Sequence, residues 1–121
     1  MDRAEAVALF EQRRDAWLRE DVDAYLRLFA DDFAFYANGV ERTRGRLALE
    51  NAVRRSYLRF RPVSWEFHAV AADGSTVLSE WTATMAERTT GVERSIRAMS
   101  ICEMDQGLAV CQREYRSRAG D

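Results

Sequence analysis

The sequence contains little histidine, cysteine or proline, and it has no long apolar run. It has one histidine, His68, and neither a Cys-x-x-Cys nor a His-x-x-x-His spacing, which excludes most zinc-site patterns. The two cysteines, Cys102 and Cys111, are typical of reduced thiols rather than of a disulfide framework. No apolar run approaches the roughly 20 residues of a membrane span, and the N-terminus lacks the zones of a signal peptide. We therefore expect no metal, no cofactor, no membrane partner and a cytoplasmic location.

Positive and negative charges nearly cancel. The chain has 18 basic and 20 acidic side chains, which gives a formal net charge of -2. A nucleic-acid-binding protein normally shows a basic surplus gathered on one face, so we expect no nucleic-acid partner. With 121 residues, 47% of them hydrophobic, the chain is long enough for one core and too short for two. The prediction is a single domain over residues 1–121.

Helical spacing dominates the first half of the chain. The stretch AEAVALFEQRRDAWLRE predicts an amphipathic helix, and Asp21 is the expected N-cap of a second, short helix in DVDAYLRLFADD. We interpret Asp31-Asp32 as the capping and turn residues that end it. FAFYANG predicts a strand that leads into a loop at Asn38-Gly39. RLALENAVRRSYLRF then predicts a third helix, which Pro62 ends.

After Pro62 the apolar period changes from about 3.6 residues to 2, which separates helix from strand. Three stretches alternate in this way, VSWEFHAVA, TVLSEWTATMAER and ERSIRAMSICEM. In the first of them we predict that Val63, Trp65, Phe67 and Ala69 face inward and that His68 lies on the exposed face. Turn signals between the runs predict an antiparallel meander. Helices followed by a sheet with one apolar face indicate an α+β domain in which the helices cover that face.

The last strand, in DQGLAVCQREYRS, raises the question of which of its two rows faces inward. A two-residue loop at Gln106-Gly107 would set Cys102 opposite Cys111 and place Glu114 on the outer face. A three-residue loop, residues 105–107, shifts the pairing by one and turns Glu114 inward. We favour the three-residue loop, because type I′ turns prefer Asn or Asp before Gly.

With that loop, and a four-residue loop from Thr89 to Val92 in the preceding hairpin, three rows cross the sheet. The central row is Ala83, Ala98 and Glu114, where two small residues leave space in front of a carboxylate. The flanking rows are Trp81, Ser100, Gln112 and Met85, Ile96, Arg116.

Charged residues on an otherwise apolar inner face need a partner or a role, because an unpaired buried charge is costly. One interpretation is a cavity in which Glu114 acts as general acid or base while Arg116 or Gln112 orients a ligand. The other is that these residues reach solvent at the strand end, or that Glu114 pairs with Arg13 or Arg14 as a structural ion pair. The predicted catalytic residues are Glu114, Arg116 and Gln112. The predicted substrate-binding residues are Arg13, Trp17, Trp81, Ala83, Met85, Ala98 and Ser100.

Two predicted helices are followed, in this order, by the segments FADDFAFY, RGRLALENAV, LSEWTATM and MDQGLAVCQREY. Over about residues 5–116, this order resembles that of the SnoaL-like, ketosteroid-isomerase-like group of the nuclear transport factor two superfamily. The resemblance implies a cystatin-like, cone-shaped roll with a curved antiparallel or mixed sheet enclosing a pocket, and a homodimer through the outer face of the sheet. The family's steroid isomerases carry an aspartate base where this sequence has Ala37 and a neutral carboxylic acid where it has Ser100. Their oxyanion-binding tyrosine falls near Arg13. The resemblance therefore implies a pocket without transferring a known mechanism.

Two functions follow from these observations. The first is a small-molecule enzyme that transforms an apolar metabolite by proton transfer at Glu114, through cyclisation, isomerisation or epoxide opening. The second is a binding or accessory domain that holds a ligand unchanged or serves only dimerisation. A buried Glu114 beside open volume and without a satisfying ion pair favours the enzyme, whereas a Glu114–arginine ion pair in a filled core favours the second.

Overall fold

The computed structural model describes residues 1–117. The last four residues of the predicted domain lie outside the described residues. The elements in chain order are α1 Arg3–Leu18, α2 Val22–Leu26, β1 Phe29–Ala37, β2 Val40–Arg44, α3 Arg46–Arg59, β3 Phe60–Asp73, β4 Thr76–Glu87, β5 Glu93–Asp105 and β6 Leu108–Arg116. Among residues 1–117, no helix is long and apolar enough to cross a membrane.

Aspartate side chains cap the first two helices. Asp2 accepts a hydrogen bond from the backbone N–H of Glu5 at 2.8 Å, and Asp21 accepts one from that of Ala24 at 3.1 Å. Each cap satisfies one of the backbone donors that a helix start leaves without an internal partner. The predicted N-cap at Asp21 is confirmed.

The segment after α2 differs from the prediction. Helix α2 ends at Leu26, and Asp31-Asp32 are exposed residues inside β1 rather than turn residues. The predicted turn at Asn38-Gly39 is present, with positive φ at both residues, but a second strand, β2, follows it directly. Strand β2 was not predicted because only Thr43 in it is buried, so the segment lacks an alternating apolar pattern.

The sheet has six strands in the order β2-β1-β6-β5-β4-β3. Strands β1 and β6 are parallel and the other neighbours are antiparallel, so the sheet is mixed. Helix α3 ends at Arg59, before Pro62, and Pro62 lies within edge strand β3, where an edge position tolerates its missing N–H. The predicted α+β class, with helices covering one face of a mixed sheet, is confirmed.

The turn between β5 and β6 corrects the predicted register. Gln106 and Gly107 both have positive φ and form a two-residue turn that pairs Asp105 with Leu108. A bulge then leaves Val110 without a partner, since Met104 pairs with Ala109 and Glu103 pairs with Cys111. The three-residue loop was therefore wrong. The expected inward orientation of Glu114 is nevertheless correct, because the pairing moved by two residues and not by one.

The predicted cross-strand rows change accordingly. Glu114 pairs with Ser100 instead of Ala98, and Gln112 pairs with Cys102 instead of Ser100. In the preceding hairpin the loop is residues 88–91, so Trp81 pairs with Ala98. A row of Ser79, Ser100 and Glu114 thus replaces the predicted row of Ala83, Ala98 and Glu114.

A second bulge, between Phe67 and Ala69 in β3, corrects the predicted inward row of that strand. Ala69 is exposed and Val70 is half-buried, because the bulge exchanges the two faces beyond Phe67. His68 is exposed, as predicted, and its Nε2 lies 2.8 Å from the Thr82 hydroxyl.

The hydrophobic core lies between the helices and one face of the sheet. Its most completely buried side chains come from α1, from β1, from the starts of β4 and β6 and from the end of β5: Ala6, Phe10, Phe29, Phe33, Val77, Cys102 and Ala109. This core holds one end of the helical layer firmly on the sheet. Beside it, the same two layers leave a cavity.

Candidate functional site

The cavity between the helices and the sheet has a volume of about 480 Å³. This volume is in the range of small-molecule sites, which are mostly apolar with a few polar groups. Its wall includes eight aromatic side chains, which come from both layers: Trp17, Tyr25, Phe29, Phe33, Phe35, Phe60, Trp65 and Trp81. A ligand that fills this space would need a largely apolar body.

Glu114 is the acidic residue in the wall of this cavity. It projects inward from β6 and is 4% exposed. Gln112 donates to its Oε1 from Nε2 at 3.5 Å, and Arg116 donates to its Oε2 from Nε. The carboxylate is therefore both held by protein donors and adjacent to open volume.

Arg13, on α1, determines how Gln112 is oriented. It is 1% exposed, and its Nη1 donates to Gln112 Oε1 at 2.7 Å. A guanidinium only donates, so the amide oxygen must face Arg13 and the amide nitrogen must face Glu114. The guanidinium carbon of Arg13 also lies 4.8 Å from the ring centroid of Phe29. Within residues 1–117 no carboxylate lies within 4.0 Å of Arg13, so Gln112 links the two buried charges.

Tyr25 adds a hydroxyl to the cavity. The ring projects from α2 and packs on Trp17 and Phe29, with centroid separations of 5.5 and 5.0 Å. Burial raises the pKa of Tyr25 to about 12, while the positive charge of Arg13 opposes this rise and the negative charge of Glu114 adds to it. At neutral pH the hydroxyl therefore keeps its proton. Among the described residues none hydrogen-bonds it, which leaves this donor available to a ligand.

Tyr25 is a site residue that the sequence patterns did not predict. Its spacing with Val22, Leu26 and Phe29 identifies it only as part of the buried helix face, which is how most such tyrosines are placed. The available signal was its hydroxyl, a polar group on a short helix that directly precedes β1 in the sequence. Connecting that hydroxyl with Glu114 requires the knowledge that β1 pairs in parallel with β6, the strand that carries Glu114.

The structure brings most of the predicted site residues to the cavity wall. Those that line it are Glu114, Arg116, Gln112, Trp17, Trp81, Ala83 and Met85. Arg13, Ala98 and Ser100 lie behind this wall. The Ser100 hydroxyl accepts a hydrogen bond from Trp81 Nε1 at 3.0 Å, and Ala98 packs in a small cluster with Trp81 and Ala83.

A carboxylate and a protonated hydroxyl that share one apolar cavity can carry out proton transfer. The carboxylate can accept a proton from a bound molecule, and the hydroxyl can donate a hydrogen bond to an oxygen on which negative charge develops. A bound molecule that fills the cavity would displace water from both groups, which would strengthen their electrostatic effect on it.

Comparison with known proteins agrees with this architecture. The family model of the SnoaL-like domain matches residues 10–112. An LEH-like epoxide hydrolase from M. tuberculosis is 25% identical and superimposes with a TM-score of 0.81, over 94% of this chain and 84% of that one. An NTF-2 like protein of unknown function from Burkholderia xenovorans LB400 is 20% identical, with a TM-score of 0.73, over 100% of this chain and 89% of that one.

A protein of ketosteroid isomerase-like fold from Catenulispora acidiphila DSM 44928 is 14% identical. It superimposes with a TM-score of 0.77, over 90% of this chain and 85% of that one. At these identities the last two likenesses establish the fold alone. No protein with a curated description matches the sequence.

Proposed function

Because this chain belongs to the SnoaL-like domain family, we propose that it is a small-molecule enzyme that acts on an apolar metabolite by general acid/base catalysis. Glu114 is the proton acceptor and Tyr25 is the hydrogen-bond donor to the reacting oxygen. Arg116 and Gln112 hold the carboxylate, and Arg13 positions Gln112. As the sequence patterns predict, the reaction uses neither metal nor cofactor.

The observation that supports this proposal is a buried carboxylate beside open volume. Glu114 is 4% exposed and borders a cavity of about 480 Å³ whose wall is mainly apolar. A charged group is costly to keep in such a place. Groups of this kind concentrate at functional sites, because a base placed next to a substrate and away from water is effective in proton transfer.

The same geometry serves three related reactions. In epoxide opening, water would give a proton to Glu114 as its oxygen bonds to an epoxide carbon. The carbon–oxygen bond breaks, and the new alkoxide accepts a hydrogen bond from Tyr25 before it takes up the proton that Glu114 received from water. In isomerisation, Glu114 would remove a proton from carbon next to a carbonyl, whose oxygen accepts the Tyr25 hydrogen bond as the enolate forms, and would return it to the far end of the conjugated system. In cyclisation, the enolate carbon would instead bond to a second carbonyl carbon, whose oxygen takes up the proton from Glu114. The LEH-like epoxide hydrolase, at 25% identity, makes epoxide opening the first reaction to test.

The test compares the wild type with Glu114→Gln. Each protein is incubated with an apolar epoxide, with a β,γ-unsaturated cyclic ketone and with a metabolite extract of the native host, and products are identified by mass spectrometry. We expect a product whose rate of formation falls at least about 100-fold in Glu114→Gln, the usual loss when a general base is removed. A product formed equally fast by both proteins would refute the role of Glu114.

Glu103→Gln is the matched control. Glu103 also belongs to this sheet and also pairs with an arginine, since its Oε1 lies 3.6 Å from Arg113 Nη2. It is not among the residues that line the cavity. Glu103→Gln should therefore keep wild-type activity, and circular dichroism spectra should show that both variants are folded.

One contact favours the second candidate function, a non-catalytic ligand-binding domain. The ion pair between Glu114 and Arg116 satisfies the carboxylate without any substrate, as a purely structural pair would. Native mass spectrometry distinguishes the two functions. A ligand from the extract that wild type and Glu114→Gln both retain unchanged, with no product in any incubation, would favour binding alone.

We also propose that the protein is a homodimer through the outer face of the sheet and that it is cytoplasmic. The dimer proposal is supported by two exposed side chains that are cross-strand neighbours on that face, Met99 at 53% and Tyr115 at 48%. Sedimentation analysis tests it. A Met99→Glu variant should shift a dimer towards monomer, whereas a wild type that sediments as a monomer would contradict it.

A further inference from the structure

Two arginines of α3 stand where the cavity meets solvent. Arg55 and Arg59 are one helical turn apart, and both line the cavity together with Ala52 and Ser56. Although they line the cavity, both arginines are also exposed to solvent. The guanidinium carbon of Arg59 lies 4.9 Å from the ring centroid of Phe60, and this stacking contact orients the side chain.

Neither arginine forms an ion pair within residues 1–117. Among the described residues no carboxylate lies within 4.0 Å of Arg55 or Arg59. Their neighbour Arg54 differs, because its Nε lies 2.9 Å from Glu50 Oε2. In the described part of the chain, the mouth of the cavity is therefore lined by two positively charged side chains without an acidic partner.

The charge of the cavity wall is opposite to that of the chain. Arg55, Arg59 and Arg116 line it against the single carboxylate of Glu114, an excess of two positive charges. The chain as a whole has a formal net charge of -2. Since Arg116 already neutralises Glu114, the excess belongs to Arg55 and Arg59 at the mouth. A positive field confined to one opening attracts anions to that opening.

We infer that the natural ligand is an amphipathic anion. Its apolar body occupies the aromatic cavity, and a single oxyanionic group, a carboxylate or sulfonate, binds Arg55 and Arg59 at the mouth. Two guanidinium groups are suited to this role because each presents a planar set of donors that matches a carboxylate. The inference rests on the proposed function in one respect, that the cavity holds the substrate. It adds the class of that substrate and the direction in which it enters.

Two fluorescent probes that differ only in charge test the inference. Anilinonaphthalene sulfonate carries one sulfonate, and phenylnaphthylamine is its uncharged parent. Their dissociation constants are measured for the wild type, for Arg55→Gln/Arg59→Gln and for Arg54→Gln, the matched control on the same helix. Ala52→Trp, which narrows the cavity, reports whether a probe binds there and should weaken both.

We expect the wild type to bind the sulfonate more tightly than the uncharged probe. Arg55→Gln/Arg59→Gln should lose about tenfold in affinity for the sulfonate, since each exposed charge pair contributes about a two- to fivefold effect. Affinity for the uncharged probe should change by less than about twofold, and Arg54→Gln should change neither. Added salt should reduce the sulfonate preference of the wild type.

Three results would overturn the inference. The first is equal or better binding of the uncharged probe, and the second is a sulfonate preference that survives Arg55→Gln/Arg59→Gln. Either would leave the proposed reaction intact, because the loss of product formation in Glu114→Gln is measured independently. The third is sulfonate binding that Ala52→Trp does not weaken, which would place the probe outside the cavity.

Discussion

Replacing Tyr25 by phenylalanine tests the electrostatic environment on which the candidate site depends. The change removes one hydroxyl that no described residue hydrogen-bonds, and it keeps the ring that packs on Trp17 and Phe29. Near neutral pH, Tyr25→Phe should therefore change the free energy of unfolding by less than about 0.5 kcal/mol. The difference should emerge only when the solution becomes alkaline.

The size of the alkaline effect follows from the pKa of Tyr25, which burial raises from 10.0 to about 12 in the folded protein. Below pH 10 both the folded and the unfolded chain keep the phenol proton, so stability does not depend on this group. Between pH 10 and 12 the unfolded chain loses the proton while the folded chain keeps it. The unfolded state then binds fewer protons, and stability falls as pH rises. At pH 11 the loss should be about 1.4 kcal/mol.

The composition makes this effect measurable. All 18 basic side chains are arginine, so no lysine titrates in the same range. The pKa of Tyr57 is also raised, chiefly by burial and next by the charge of Tyr25. The effect of burial on Tyr57 is common to both proteins and cancels in the difference, whereas the smaller effect of Tyr25 on Tyr57 is part of what Tyr25→Phe removes.

The assay is urea unfolding of the wild type and Tyr25→Phe at about pH 9 and pH 11, followed by far-UV circular dichroism. We expect the wild type to lose about 1.4 kcal/mol more than the variant between the two pH values. A difference that is the same at both pH values would refute the reasoning. It would mean that the hydroxyl titrates as it does in water and is not a protonated donor in an apolar cavity.

Two further predictions concern the scaffold that positions the site. Ser100→Ala should destabilise the protein by about 1 to 3 kcal/mol, because it leaves the buried N–H of Trp81 without its acceptor. The matched control is Ser79→Ala, at the residue that pairs with Ser100 on β4. Among the described residues nothing hydrogen-bonds the buried Ser79 hydroxyl, so its removal should lower the free energy of unfolding by less than about 0.5 kcal/mol. Equal losses of stability in the two variants, measured by thermal unfolding, would contradict the role given to the Ser100 hydroxyl. Gln106→Asn should stabilise the protein by about 0.5 kcal/mol in urea unfolding, because Gln106 precedes Gly107 with a positive φ that asparagine adopts more readily. A variant less stable than the wild type would show that the positive φ of Gln106 does not limit the stability of this hairpin.

The hairpins show how far periodicity can predict a sheet. Alternation correctly predicted that Glu114 faces inward, since side-chain direction along a strand depends only on parity. It did not predict that Glu114 pairs with Ser100, because both hairpins are shifted by two residues, and such a shift keeps every side chain on its own face. The turn conformation at Gln106 and the bulge at Val110 determine that shift, and neither leaves a mark on the apolar pattern.

Strand β2 and the bulge before Ala69 were missed for a related reason. An edge strand with only Thr43 buried has no apolar row, so its backbone pairing with β1 supports it without a sequence signal. In β3 the bulge breaks the alternation at one point and exposes Ala69.

The sequence by itself determined the three helices, the inward row of the last strand and the absence of a histidine or cysteine pattern for zinc, because capping, periodicity and residue counts are local properties of a chain. Only the tertiary structure decided that Arg13 meets Gln112 across 99 residues, and that Tyr25 shares a cavity with Glu114. A cavity is the space that several packed elements leave unfilled, and no single segment encodes it. The charge at its mouth likewise depends on which arginines the fold leaves without a partner.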